Sequence, residues 1–383
     1  MSGATGVRVT ARGWGMLLVG ALLAAVAAAL QSLTTARIAA VVLAIPVVAL
    51  LWALVSSAFA SRRGLRRTLR PRGWQVDVGG SVELTPTGAA LPPWSSLRER
   101  VPATLRRRGL GPYSYAVLPS QRGRHVLGPA VLVRSDPWAI VWWRTPIGDV
   151  ADVLVWPRTE HVDDAVVARA LEASAPRSHG LPQRTLEDLT VREYRRGDDL
   201  HRVHWRSTAR HGELMVRHDE PTTTRVIDVL LLLGDERDDA AEWAVSAAAS
   251  MAVALLRGGY TVRVVTVADG RLVDVTTTTV GDALDLFALA EPAAKHAADA
   301  LRSVQRSTSA GVVAVLDRPA ASLDASIAAG GALRQSTALV VDPVDPDNAL
   351  VGLLQHGGWV VGGCEGRGSI AEAWLALTSV EVR

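Results

Sequence analysis

Two consecutive uncharged stretches near the start of the chain restrict its fold more than any other feature. Gly13–Ala36 and Ile38–Ser61 are each 24 residues long, and only Arg37 separates them. A helix rises about 1.5 Å per residue and a hydrocarbon core is about 30 Å thick, so either stretch is long enough to cross a membrane. Pro46 is tolerated in such a helix, and Trp14 and Trp52 stand where interfacial aromatic residues are expected. Two other readings compete. The first stretch could be a cleaved signal peptide with Arg8 and Arg12 as its basic region, or both could be buried helices of a soluble domain. The second stretch follows so closely that two spans, at 13–36 and 38–61, are the expectation.

The arginines set the expected orientation. Arg8 and Arg12 precede the first span, Arg37 alone lies between the two, and Arg62, Arg63, Arg66, Arg67, Arg70 and Arg72 follow the second. The positive-inside rule then places both termini in the cytoplasm and makes the chain a multi-pass protein of the cell membrane. Residues 62–73 read as a basic cytoplasmic linker. It is either a topology signal alone or a segment that also touches anionic lipid headgroups. Composition tempers every such argument: Lys295 is the only lysine, so 40 of the 41 basic residues are arginine. With Ala and Val so abundant, that bias reads as a GC-rich bacterial genome, and arginine at one position is weak evidence that a guanidinium fork is needed there. The net charge of +3 rules out a polyelectrolyte, and the single cysteine, Cys364, rules out an intrachain disulfide or a multi-cysteine zinc site.

Residues 74–160 carry short β-rich runs punctuated by Gly-Gly, Pro-Pro and Asp-Pro pairs, and predict a β-sandwich-like domain. A weak helical period shows only around Leu97–Leu105. Trp138, Trp142, Trp143 and Trp156 are expected in core and edge packing. Residues 161–224 hold a short helix (Asp164–Ala175), an exposed loop and a charged tract. From 225 to 383, strands and helices alternate: an apolar strand at Arg225–Leu233, a helix opened by Asp238 or Asp239 and closed by Gly258 and Gly259, then further pairs to the end. That rhythm predicts a doubly wound, mostly parallel sheet.

The charged tract, Val191–Glu220, packs four of the nine histidines, seven arginines and six carboxylates into 30 residues. Gly197, Asp198 and Asp199 predict a turn and a capped helix start, with up to three helical turns through Arg210 and a strand after Gly212. Four chemistries fit such a crowd. His201 and His204, with Asp198 three residues before His201, share a helical face, but the helical zinc signature is absent and the flanking arginines oppose a dication. Ser207 near His204 and His211 suggests a hydrolase using Asp198, Asp199 and His204, but no nucleophile elbow is present. Arginines with Tyr194 and Trp205 suit nucleic acid, although six carboxylates offset them. The leading expectation is a clasp of paired charges with Trp205 packed beneath, structural or facing a partner.

The order Arg192-Glu193-Tyr194, Gly197-Asp198-Asp199, His204-Trp205 and Ser207-Thr208-Ala209-Arg210 resembles the bacterial family known as domain of unknown function 58. Supporting similarity lies in Arg122–Trp143, Val153–Glu160 and Glu242–Thr266. The resemblance implies a von Willebrand factor A-like fold for the C-terminal part. Such folds often hold magnesium on an Asp-x-Ser-x-Ser loop after the first strand. Here Asp235 would occupy the first ligand position, but Arg237 and Asp239 stand where the serines belong, so at most a degenerate site is expected and no metal or cofactor. The resemblance further implies a membrane-tethered scaffold or adaptor, working with a MoxR-type AAA+ ATPase and sometimes a transglutaminase-like membrane protein. It supplies no catalytic residue.

Overall fold

The computed structural model describes residues 6–60, 64–71, 73–87, 94–109, 111, 113–172, 191–194, 205–217, 225–293, 295–318, 335–346 and 349–379. The chain divides into two compact units, Met1–Arg158 and Thr159–Arg383.

The first unit opens with β1 (Val7–Val9), then α1 (Ala11–Leu30) and α2 (Leu33–Ala60). Both helices contain windows long and apolar enough to cross a membrane. Their boundaries differ from the limits drawn by charge. Gln31 adopts a left-handed conformation (φ 45°) and closes α1, and the Ser32 hydroxyl accepts from the Thr35 N–H at 3.3 Å to open α2. Arg37 therefore lies inside α2 rather than in the connection, which is the pair Gln31–Ser32. The helices pack closely where Gly20 meets Leu43: an added Cβ would stand 2.6 Å from the leucine side chain.

The rest of this unit is β structure: β2 (Gly64–Arg70), β3 (Trp74–Gln75), β4 (Gly80–Thr87), β5 (Ser95–Glu99), β6 (Leu105–Gly109), β7 (Ser114–Pro119), β8 (Gly123–Leu127), β9 (Ala130–Ser135), β10 (Val141–Ile147) and β11 (Ala151–Trp156). They form sheets in the orders β1-β10-β9-β5, β2-β4-β7-β6 and β3-β11-β8. Trp74, Val82, Leu84, Leu97, Leu132 and Val155 share one apolar core among these sheets. Alternation of buried and exposed residues, as along β10, is what a half-buried strand requires. Two expectations fail here. Residues 62–73 are not simply a linker, because β2 pairs with β4 along seven residues. The weak helical period at Leu97–Leu105 instead spans the end of β5, a connection and the start of β6.

The hairpin and the β structure are built together. β1 precedes α1 and pairs with β10, while β2 follows α2. The Thr10 hydroxyl donates to the carbonyls of Ala139 and Ile140 (2.8 and 3.0 Å) and accepts from the Gly13 N–H (3.2 Å). Ala49 and Ala53 of α2 pack on Ile140, Val141 and Trp143. Gly13 is needed for this approach, since a Cβ there would lie 2.8 Å from the Ile140 carbonyl oxygen.

The second unit begins with α3 (Asp164–Glu172) and continues with β12 (Val191–Glu193), α4 (Trp205–His211) and β13 (Met215–Arg217). Then come β14 (Val226–Leu232), α5 (Asp239–Arg257), β15 (Thr261–Ala268), β16 (Arg271–Thr277), α6 (Val280–Ala288), α7 (Ala297–Arg306), β17 (Gly311–Asp317), β18 (Gln335–Val341), a helix Ala349–His356, β19 (Val360–Cys364) and a helix Ile370–Ser379. The sheet order is β16-β15-β14-β17-β18-β19, with every pairing parallel except that of β16. The alternation from residue 225 onward thus gives a parallel-rich α/β sheet. The antiparallel edge strand β16 escapes the sequence reading because exposed Asp274 and Thr276 interrupt its apolar pattern. The helix expected within 320–330 lies outside the described residues. α5 is apolar enough to resemble a membrane span, but most of its length is buried against the sheet.

Candidate functional site

The described part of the charged tract is a small self-held assembly. β12 pairs antiparallel with β13, setting Arg192 opposite Val216 and Glu193 opposite Met215. The Tyr194 N–H continues the ladder to the Leu214 carbonyl at 2.8 Å. The Thr208 hydroxyl accepts from the Met215 N–H at 3.0 Å, which ties α4 to the hairpin. Gly212 has φ +76°, a conformation that favours glycine, and its N–H closes α4 on the Thr208 carbonyl. The strand expected after Gly212 is β13, and the expected helix is present from Trp205.

Trp205 is the correction. It was expected to pack beneath the charges, yet it is 71% exposed. Ala209 and Arg210 are exposed beside it on α4, and Tyr194 is half-buried. Gly197, Asp198, Asp199, His201 and His204 lie outside the described residues. Ser207 and His211 lie on α4, whose backbone is described at those positions.

A second charged centre, not singled out in the sequence, sits at the C-terminal edge of the parallel sheet. There β14 and β17 are neighbours, and the strands that follow each of them, β15 and β18, lie on opposite sides of the pair in the sheet order, the place where open α/β sheets form a crevice. Arg318, at the end of β17, donates through Nε to Asp317 (3.1 Å) and through Nη1 to Glu236 (2.7 Å) and Asp238 (2.9 Å). Its Nη2 reaches Asp238 and Asp317 at 2.9 and 3.2 Å. The Gly234 N–H adds a bond to Asp317 at 3.2 Å. Asp238 also caps α5 by accepting from the Ala241 N–H at 3.0 Å.

The electrostatics follow from burial and this one cation. Burial pushes the Asp317 carboxyl above its ordinary value, with Arg318 and the Gly234 N–H pulling against it. Burial also acts upward on Asp238, but the Ala241 N–H and Arg318 outweigh it and hold that carboxyl below its ordinary value. The bonds to Asp317 and Asp238 keep the Arg318 guanidinium firmly charged.

This arrangement does not fit a metal ion. The degenerate position Asp235 is exposed, and Arg237 turns to Glu291 (3.4 Å). The positive charge among Glu236, Asp238 and Asp317 is the guanidinium of Arg318. Among the described residues, no group of three or more His, Cys, Asp or Glu is arranged to hold a metal. The signal for this centre was the strand ending in Leu316-Asp317-Arg318, whose role appears only once β17 is placed beside β14.

Comparison with known proteins gives one informative match. No curated protein matches. Two solved structures from Bacteroides fragilis NCTC 9343 are similar to this chain at a low level. One is a provisionally assigned alpha-galactosidase, 10% identical over 78% of this chain and 57% of its own, with a TM-score of 0.16. The other is a provisionally assigned alpha-galactosidase/melibiase, 8% identical over 75% of this chain and 54% of its own, with a TM-score of 0.14. The chain thus spans little more than half of either, and overlap this poor carries no argument about fold or activity. The informative match is to the family model described as "Protein of unknown function DUF58", which spans residues 190–355, from the start of the charged tract into the helix Ala349–His356. By that match residues 190–355 of this chain are similar to the DUF58 family.

Proposed function

We propose that this protein is a membrane-tethered cytoplasmic scaffold that docks a MoxR-type AAA+ ATPase and so takes part in assembling or maturing other proteins. The observation that carries the reading is exposed Trp205 on α4, inside the stretch matched to the family. A large aromatic side chain, exposed on an element tied to a hairpin, has the character of an interface hot spot. The placement of β1 before α1 and β2 after α2 in one unit supports a hairpin with both ends on one side. The arginines flanking the spans favour the cytoplasm for that side. The parallel-rich sheet supports a von Willebrand factor A-like reading of the second unit, with Arg318 in place of the metal. A transglutaminase-like membrane protein is a further candidate client.

The test is co-purification of the full chain from membranes with the ATPase, comparing wild type and Trp205→Ala. The expected result is loss of the ATPase by tenfold or more with the melting temperature unchanged, since an exposed substitution alters stability by no more than about 0.5 kcal/mol. ATPase recovered at the wild-type level would overturn the docking role of Trp205.

A further inference from the structure

We propose that the groove where α1 and α2 enter the β unit is a binding site for an anionic phospholipid, with the headgroup phosphate on Arg12 and an acyl chain between the two helices. The groove has a volume of about 630 Å³, within the range of small-molecule sites. Its walls are Gly15 and Val19 of α1 and Val42 and Ile45 of α2, with Ile140 also lining it. A Cβ added to Gly15 would meet nothing within 4 Å, so open space continues up to the helix backbone.

The rim is chemically different from the walls. Arg12 and Trp138 line it, and both are exposed. Among the described residues no carboxylate pairs with Arg12. Trp138, 61% exposed, is held out by a rigid loop. The buried Asp136 carboxylate accepts from the N–H groups of Trp138 (3.2 Å), Ile140 (2.7 Å) and Val141 (3.0 Å). Ala139 in the same loop takes a left-handed conformation (φ 56°), and Thr10 holds its carbonyl. A strained, multiply bonded loop that displays a tryptophan beside a membrane helix is suited to the headgroup level, where indole rings settle. Trp14 and Trp52 support that level. With Gly20 set against Leu43 in an antiparallel pair, they fall within about one helical turn of each other in depth. An apolar slot between two spans, with an exposed arginine and an indole at its mouth, matches an acyl chain and an anionic headgroup. Basic pockets between spans on the cytoplasmic side recognise such lipids.

The inference rests on α1 and α2 being membrane spans, as in the proposed function, so carbonate extraction of the full chain from membranes comes first and tests that reading separately. The full chain is then purified in mild detergent and offered phosphatidylglycerol and phosphatidylcholine of identical acyl chains, and retained lipid is counted by native mass spectrometry. Wild type is expected to retain phosphatidylglycerol preferentially. Arg12→Gln is expected to lose about fivefold of that preference, the size expected for one arginine near an anionic surface. Gly15→Trp, which fills the open space, is expected to lose both lipids while helix content and melting temperature stay at wild-type values. Equal retention of the two lipids by wild type, or an undiminished preference in Arg12→Gln, would overturn the proposal. So would a dimer that Gly15→Trp dissociates, because the groove would then hold a second copy's helix.

Discussion

Arginines around the apolar helices and arginines at the parallel sheet do opposite work. In the first group, Arg8, Arg12, Arg66 and Arg70 remain at the surface. Arg8 and Arg144 lie over the Trp142 ring at 5.8 and 4.8 Å, a weak cation–π arrangement that leaves the charge in water. In the second, Arg263 and Arg318 are withdrawn among carboxylates. Arg263 reaches Asp228 at 2.9 Å and Asp274 at 2.6 Å, and Asp228 is fully buried. The residue type is the same and the neighbours differ. Near the apolar helices an exposed arginine keeps its charge in water. At the sheet a caged one neutralises carboxylates whose burial would otherwise be prohibitive.

The sharpest way to break this comparison is to remove one arginine of each kind. Arg318→Ala leaves buried Asp317 with the Gly234 N–H and no cation. Deleting one partner of a buried pair costs about 3–5 kcal/mol, so the α/β unit is expected to melt well below wild type in a thermal scan. Adding Asp317→Asn should recover much of the loss, because the uncompensated charge is then gone. Arg66→Ala, on the exposed side of β2, should change stability by less than about 0.5 kcal/mol. Equal losses from Arg318→Ala and Arg66→Ala would erase the distinction.

Arg67 tests whether the rule follows the unit or the neighbours. It lies in the first unit, among the arginines that the sequence assigns to a basic linker. Its side chain is nonetheless almost fully buried and paired with Glu99. Glu99 also accepts from the Tyr115 hydroxyl at 2.7 Å, and burial together with Glu99 drives the Tyr115 hydroxyl well above its ordinary pKa. Arg67→Ala should cost about 2–3 kcal/mol, somewhat less than Arg318→Ala because Tyr115 still serves Glu99. A loss as small as that of Arg66→Ala would tie the behaviour to the unit instead.

Arg67 also marks the boundary of what the sequence disclosed. The apolar helices, the β runs and the alternating α/β rhythm were legible because each rests on local periodicity, and α5 even begins at the expected cap, Asp238. Function-bearing detail was less legible. The family signature was readable as an ordered string, but the exposure of Trp205 was not, because burial depends on what packs against a short helix. Likewise Trp138 was expected in packing, whereas the Asp136-centred loop displays it. The Arg318 centre joins Glu236 and Asp238 to Asp317, some 80 positions away in the chain. Only the adjacency of β14 and β17 brings them together, and no local pattern encodes that adjacency.

The smallest expected effect separates caged carboxylates from one another by pH. The hydrogen bond from Arg263 holds Asp274 below its ordinary value of 3.8, against burial and with help from Ser303. A carboxyl lowered on folding contributes stability that is fully present above its unfolded value and is lost as pH falls through the folded one. The contribution of Asp274 is therefore expected to be constant from neutral pH down to about 4 and to fade below that. Asp317 runs the other way: burial raises it, so the folded state takes up its proton more readily and its charge costs stability as pH rises above 3.8. Because Asp274 is 36% exposed, solvent screening limits its effect to below about 1 kcal/mol. In melting curves from pH 7 to 3, Asp274→Asn should sit slightly below wild type at neutral pH and converge on it below pH 4. A gap that stays constant to pH 3 would mean that Arg263 gains nothing from the charge of Asp274, and that its cage is the fully buried Asp228 alone.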